Sequence, residues 1–219
     1  MKILKSIALA ISHANDRLAS PRTSQRSRTA LVGAMLAVGT AFNAHAADAD
    51  SPFKFLIGNG LTYGGDNLVT VPLSDSSQDV FKAGGLVYAY GGVEYRLTDK
   101  VALQTTLGYH LNYARASSDG KLRFTRMPVD LLALYSISDK IRVGGGAQFV
   151  YSPELKGTGV ASSVSQKYDS TIGAVMEGEY LFTPHIGLKL RYVAEKFKPN
   201  DGGPSVDGSH AGFLFNYYF

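Results

Sequence analysis

At 219 residues the chain has room for one domain or two small ones, and its 45% apolar, 11% aromatic and 18% charged residues exclude a disordered or collagen-like chain. It has no cysteine, which excludes a disulfide scaffold, a thiolate nucleophile and a Cys-ligated metal. The formal net charge of +4 would invite nucleic acid if its basic residues were spread over the molecule, but they are not.

Lys2, Lys5, Arg17, Arg22, Arg26 and Arg28 precede Ala30 and are opposed only by Asp16; Ala30 to Phe42 is then uncharged and mostly apolar, and Ala44-His45-Ala46 follows. This order, basic then apolar then A-x-A, predicts a secretory signal peptide over 1–46, cleaved to leave a domain over 47–219. The apolar stretch is too short to span a bilayer as a helix. Beyond residue 46 the chain holds 16 basic against 17 acidic residues, so no basic stripe is left to neutralise phosphates and nucleic acid is not expected as a partner.

From there the sequence alternates with a period of two. Phe53, Phe55, Ile57, Leu61 and Tyr63 share one face, broken by Asn59; Val87, Ala89, Val93, Tyr95 and Leu97 share the next; Val101 to Tyr113 is apolar at every odd position except Thr105. Met127, Val129, Leu131, Ala133, Tyr135 and Ile137 form a fourth face, and Leu122 and Phe124, on the opposite parity, predict a bulge near Pro128. Ile141 to Tyr151, Ile172 to Phe182, Ile186 to Ala194 and Phe213 to Phe219 complete eight segments, each about as long as a tilted strand that crosses a membrane. The connections alternate too. Thr98-Asp99-Lys100, Ser138-Asp139-Lys140 and Thr183-Pro184-His185 are tight turns within a loose repeat, whereas Gly64 to Gly85, Arg115 to Lys121, Pro153 to Gln166 and Phe197 to Gly208 are long.

The apolar faces carry no charge in their central stretches. The opposite faces carry Lys54, Glu94, Arg96, Arg126, Asp130, Arg142, Glu177, Glu179, Lys189, Arg191 and Glu195 together with most of the glycines. A narrow interior needs small residues beside long charged ones and a solvated surface does not, so the polar face is read as the lumen and the apolar face as lipid-facing. The fold class is all-β, an eight-stranded antiparallel up-and-down transmembrane β-barrel, with tyrosines at both membrane interfaces. Within the lumen Glu94, Arg96, Asp130, Arg142, Glu177, Glu179, Lys189 and Arg191 are expected to form a charge network. The tight turn at Thr183 would set Glu179 opposite Lys189 and Glu177 opposite Arg191. Such a network reads as a structural plug, with a narrow ion-selective constriction as the alternative.

Phe213, Phe215, Tyr217 and the terminal Phe219 put aromatics at alternate positions to the last residue. That ending resembles the signal by which the barrel-assembly machinery captures Gram-negative outer-membrane proteins. With the signal peptide, the turns and the eight segments, the chain from residue 47 resembles the small outer-membrane barrels of the OmpA, OmpX and OmpW type. The resemblance implies the cell outer membrane as location, outer-membrane lipid and lipopolysaccharide as surroundings, the assembly machinery as a partner during insertion, and a monomer. It implies a non-enzymatic structural or surface-contact role through external loops, or else a narrow pore or an OmpW-like route for small or hydrophobic solutes.

No cofactor, metal or catalytic residue is expected. After residue 46 the histidines are His110, His185 and His210; Ser209-His210 sets its two side chains on opposite faces, and His110 with Asn112 reads as a hydrogen-bonded lumen histidine. The three dispersed histidines have no zinc-ligand spacing, and Asn200-Asp201-Gly202-Gly203 and Asp207-Gly208 read as turns rather than calcium loops. In the first long connection Leu68, Val69, Val71, Pro72 and Leu73 form an apolar cluster that extends a strand, caps the barrel or meets a partner.

Overall fold

A computed structural model describes residues 51–72, 78–115 and 120–219. The expected signal peptide over 1–46, its boundary, and Leu73 lie outside the described residues. Thirteen strands follow in chain order: β1 (Phe53–Gly64), β2 (Asn67–Pro72), β3 (Gln78–Lys82), β4 (Leu86–Arg96), β5 (Val101–Arg115), β6 (Lys121–Ser136), β7 (Ile141–Thr158), β8 (Gln166–Lys167), β9 (Thr171–Thr183), β10 (Ile186–Ala194), β11 (Lys196–Phe197), β12 (Val206–Asp207) and β13 (His210–Tyr218), with a 3-10 helix over Gly159–Val164.

Eight of them close a barrel. Around the wall the order is β6, β5, β4, β1, β13, β10, β9, β7 and back to β6, every pair antiparallel. The first and last barrel strands are stitched from Leu56↔Tyr218 to Gly64↔His210, so no edge remains open. No helix among the described residues is long and apolar enough to cross a membrane.

Side-chain direction follows the expected parity. Phe55, Leu61, Leu107, Leu131, Phe149, Ile172, Met176, Leu190, Phe213 and Phe215 are exposed on the outer wall, while Glu94, Asp130, Glu177, Lys189 and Arg191 are buried inside it. That inversion of the soluble pattern is stable only if the outer wall faces hydrocarbon. Tyr95, Tyr135, Tyr180 and Tyr217 ring the outer wall at the short-turn end, and Tyr63, Tyr109, Tyr151 and Tyr192 lie on it toward the other end. The interior has room because glycines back its large side chains: the Tyr88 ring lies where a Gly108 side chain would be, and the Tyr90 ring against Gly58.

The loose turn repeat has a common hydrogen-bond pattern. Thr98 Oγ1 accepts from the amides of Lys100 and Val101, Ser138 Oγ from Lys140 and Ile141, and Thr183 Oγ1 from His185 and Ile186. The hydroxyl at the head of each turn caps the amides that the reversal would leave unpaired.

Two expectations about the longer strands are corrected. Strand β6 has no bulge at Pro128: Leu122, Phe124, Arg126, Pro128 and Asp130 all face inward in unbroken alternation. The extra residue sits across the ladder in β7, where the register steps from Thr125↔Glu154 to Met127↔Tyr151 and Ser152 takes φ +46°. Leu122 and Phe124 point inward because the lumen turns apolar at this end. The connection expected from Pro153 is, as far as Thr158, still strand β7.

Candidate functional site

The barrel interior holds nearly every buried charge of the described chain, and it is layered. Nearest the short turns Arg142 of β7 donates to Glu94 of β4 (2.8 Å), to Glu179 of β9 (2.6 Å) and to the Tyr218 hydroxyl of β13 (2.7 Å). Asn216 Nδ2 donates to Glu179 at 2.8 Å and its Oδ1 accepts from Tyr90, so four strands, β4, β7, β9 and β13, are tied at one level. At the next level Lys189 Nζ lies 2.5 Å from Glu177, which also faces Arg191 at 3.7 Å. Asp130, fully buried on β6, accepts from Arg191 (2.7 Å), Gln148 (2.8 Å), Thr106 (2.9 Å) and Tyr88 (3.2 Å). Four donors on four other strands compensate one buried carboxylate, the condition under which a buried charge is tolerable.

The expected cross-strand register is present, with Lys189↔Glu179 and Arg191↔Glu177. The bonding is different: Lys189 reaches diagonally to Glu177, and Glu179 turns to Arg142, Asn216 and Tyr218. A second correction concerns Arg96, placed in the network by parity: it is exposed at the short-turn rim, and no ion pair involves it among the described residues. Glu94, Asp130, Arg142, Glu177, Glu179, Lys189 and Arg191 are brought together. Gln104 is buried beside them with neither amide atom bonded to protein.

Toward the long-loop end the interior is closed by backbone. Residues 82–84, from the last residue of β3 onward, cross the mouth, and three successive carbonyls are captured by three strands: Lys82 O accepts from Asn112 Nδ2 of β5 (2.8 Å), Ala83 O from Arg126 Nη1 of β6 (2.6 Å), and Gly84 O from Thr62 Oγ1 of β1 (2.8 Å). Ala83, Gly84 and Gly85 are buried. Sequence reasoning missed this strap, since a carbonyl acceptor leaves no side-chain mark; its only trace is the run of small residues Ala83-Gly84-Gly85. Beneath it Arg126 also meets Glu195 at 3.3 Å, and His210 lies 3.5 Å from the same carboxylate.

His110 belongs to this anchorage. Arg126 donates to its Nδ1 (3.0 Å from Nε), which makes Nε2 the protonated nitrogen; Nε2 donates to Thr62 Oγ1 at 2.8 Å, and Thr62 donates onward to Gly84 O. The proton order runs Arg126, His110, Thr62, Gly84, so the histidine has no lone pair toward the Thr62 hydroxyl and cannot act on it as a base.

Above the strap lies an apolar cap of Phe81, Leu122, Phe124, Leu155, Tyr168 and Phe197, with Phe124 edge-on to Tyr168 and Phe197. Leu68 and Val69 pack against it, which assigns that part of the first connection to capping the barrel. Arg126 lies beneath the Phe124 and Phe197 rings, 5.7 and 5.3 Å from their centroids. The loops that hold the cap are pinned: Asp66 and Asp207 exchange bonds, and Ser209 holds the Asp207 carboxyl below the usual range. Burial and nearby Asp201 push the Tyr168 phenol up. No group of three or more His, Asp or Glu is placed to hold a metal ion among the described residues.

Residues 34–219 match the family model described as the outer membrane protein beta-barrel domain. Among solved structures, the chain resembles Ail, the attachment invasion locus protein of Yersinia pestis, determined in complex with the heparin analogue sucrose octasulfate, at 11% identity and TM-score 0.50, covering 76% of this chain and 97% of that one. It also resembles Neisserial surface protein A, at 14% identity and TM-score 0.43 over 77% and 98% of the two chains, and OprG from Pseudomonas aeruginosa, at 14% and 0.42 over 77% and 96%. No curated protein matches. A closed eight-stranded wall with an apolar exterior, together with a family match that covers most of the sequence, places this chain in the family of outer membrane protein β-barrel domains.

Proposed function

We propose that this outer-membrane barrel is a closed, non-catalytic protein that acts at the cell surface through its long-loop face. The short turns then lie in the periplasm and the four long connections outside. The carrying observation is the strap: three adjacent carbonyls are held across the mouth by Asn112, Arg126 and Thr62, under an apolar cap and over a lumen whose buried charges are paired. A pore needs mobile or hydrated polar groups along its path. Here ion passage would have to break charge-assisted hydrogen bonds worth about 1.5–3 kcal/mol each.

In the same reading residues 1–46 are the export signal, Phe213, Phe215, Tyr217 and Phe219 address the chain to the assembly machinery, the barrel is a monomer, and its lipid partner is lipopolysaccharide. A surface role for a neighbouring fold, the attachment protein Ail, agrees with this reading. The rival, a narrow pore or a route for hydrophobic solutes, draws on the apolar lining at the mouth, where Phe81, Phe124 and Phe197 offer a greasy entrance.

Single-channel recording in a planar bilayer of the protein purified from outer membranes separates the two. The closed barrel is expected to be silent, and Asn112→Ala combined with Arg126→Met to give steps by releasing the strap. Reproducible steps from the parent protein, altered by Glu177→Gln, would make it a pore.

A further inference from the structure

We propose that the outer wall of β6 and β7, above the tyrosine level, is a docking site for the phosphate groups of outer-leaflet lipopolysaccharide. Strands β5, β6 and β7 are the three longest of the barrel, at 15, 16 and 18 residues against nine for β10 and β13, so this side of the wall projects beyond the bilayer. Tyr109, Met127 and Tyr151 form a row of exposed side chains on it. Four residues further along β6 comes Arg123, about 13 Å along the strand and about 10 Å along the membrane normal at a tilt of roughly 40°. That is headgroup depth if the tyrosine row marks the hydrocarbon boundary.

At that height the wall breaks a rule of sheet pairing. Arg123 stands directly opposite Lys156, a like-charge pair, and Lys121 follows two residues away on the same face of β6. Like charges in direct register repel. Lys121, Arg123 and Lys156 are exposed, and none has an acidic partner within ion-pair distance among the described residues. Among the described residues the carboxylate on this face is Glu154, and it is itself opposite Lys167. A cationic row that repels itself, fixed on rigid strands beside a leaflet of phosphorylated glycolipid, is relieved by an anion bridging it. The assignment rests on the proposal that lipopolysaccharide is the lipid partner, and is independent of whether the lumen conducts.

The test uses protein purified from outer membranes and placed in phosphatidylcholine vesicles doped with lipopolysaccharide or with its dephosphorylated form, with glycolipid retained per barrel measured by titration. The parent protein is expected to prefer the phosphorylated form, less so as salt rises. Arg123→Gln with Lys156→Gln is expected to weaken that binding roughly thirty-fold, about fivefold for each cation. Arg123→Lys with Lys156→Arg should keep it, and so should Lys100→Gln with Lys140→Gln at the short turns. In vesicles without glycolipid the first variant should resist heating at least as well as the parent, as relief of like-charge repulsion demands. Phosphate-selective binding that survives loss of Arg123 and Lys156, or falls equally with Lys100 and Lys140, overturns the site and leaves the lipid partner standing. A parent protein that does not distinguish the two glycolipids overturns both.

Discussion

Lys189 forms its ion pair with the carboxylate that is not opposite it. Its register partner is Glu179, yet the ammonium sits on Glu177, one pleat away, because Glu179 is already engaged by Arg142, Asn216 and Tyr218. Removing one partner of such a pair leaves a buried charge uncompensated at about 3–5 kcal/mol. Lys189→Met is therefore expected to destabilise the barrel by that amount, and adding Glu177→Gln to recover part of the loss, only part because Arg191 also faces Glu177. Lys189→Met with Glu179→Gln should show the smaller coupling, that of attraction across a rung without a close ion pair. Urea unfolding of the two double-mutant cycles from lipid vesicles checks this, and a coupling larger for Glu179 than for Glu177 would reject the pairing described. Parity and the tight turn were enough to place both carboxylates on the inner face. The choice between them was not legible, since a long flexible ammonium selects among carboxylates by what its rivals have claimed. Arg96 shows the limit of parity from the other side: it has the inward position and lies at the rim, where water competes for it.

Strand β7 carries the one irregularity that matters for the loops. Below Ser152 its even positions face inward, as with Arg142, Gln148 and Val150; above it Pro153, Leu155 and Gly157 do. The bulge thus lets one strand present Leu155 to the cap and Lys156 to the outside. Deleting Ser152 would close the bulge and set Pro153 opposite Arg126, leaving the Thr125↔Glu154, Phe124↔Leu155 and Arg123↔Lys156 rungs and their facing unchanged. The expected outcome is a barrel that keeps both its heat-modifiable migration and the protection of its external loops from protease, whereas one alanine inserted after Pro153 should push Leu155 out of the cap and expose the loops to cleavage. Ser152→Gly, by contrast, suits φ +46° and is expected to raise stability by up to about 1 kcal/mol. If the insertion leaves the loops protected, the facing of the upper half of β7 does not set the cap. The sequence showed an inconsistency here, Leu122 and Phe124 on the wrong parity, but the assumption of a uniformly polar lumen sent the irregularity to β6 when β6 is regular and the lumen itself changes character.

Across the whole molecule, what was legible followed from geometry that repeats. Period-two alternation placed eight strands, the hydroxyl-led turns marked one end, and glycines sharing a face with long charged residues implied a crowded interior. The strap was illegible because main-chain carbonyls, common to every residue, do its work, and the cationic row because it appears only when the β6–β7 register sets Arg123 opposite Lys156. The C-terminal strand bears on both folding and delivery, and these separate experimentally. Phe219 packs its ring on Tyr217 and donates its amide to Phe55 O at 2.9 Å, beyond the last rung of the β1–β13 ladder that closes the wall. Losing one hydrogen bond and one aromatic contact at a barrel rim costs about 1–3 kcal/mol, small against a closed wall of eight paired strands. A chain lacking Phe219 is therefore expected to refold into detergent or lipid vesicles nearly as well as the parent. If the terminal aromatics are an address, the same chain should be inserted poorly in cells, with the unfolded form accumulating in the periplasm. Equal loss in vesicles and in cells would show that Phe219 serves closure alone, and equal success in both would remove it from assembly altogether.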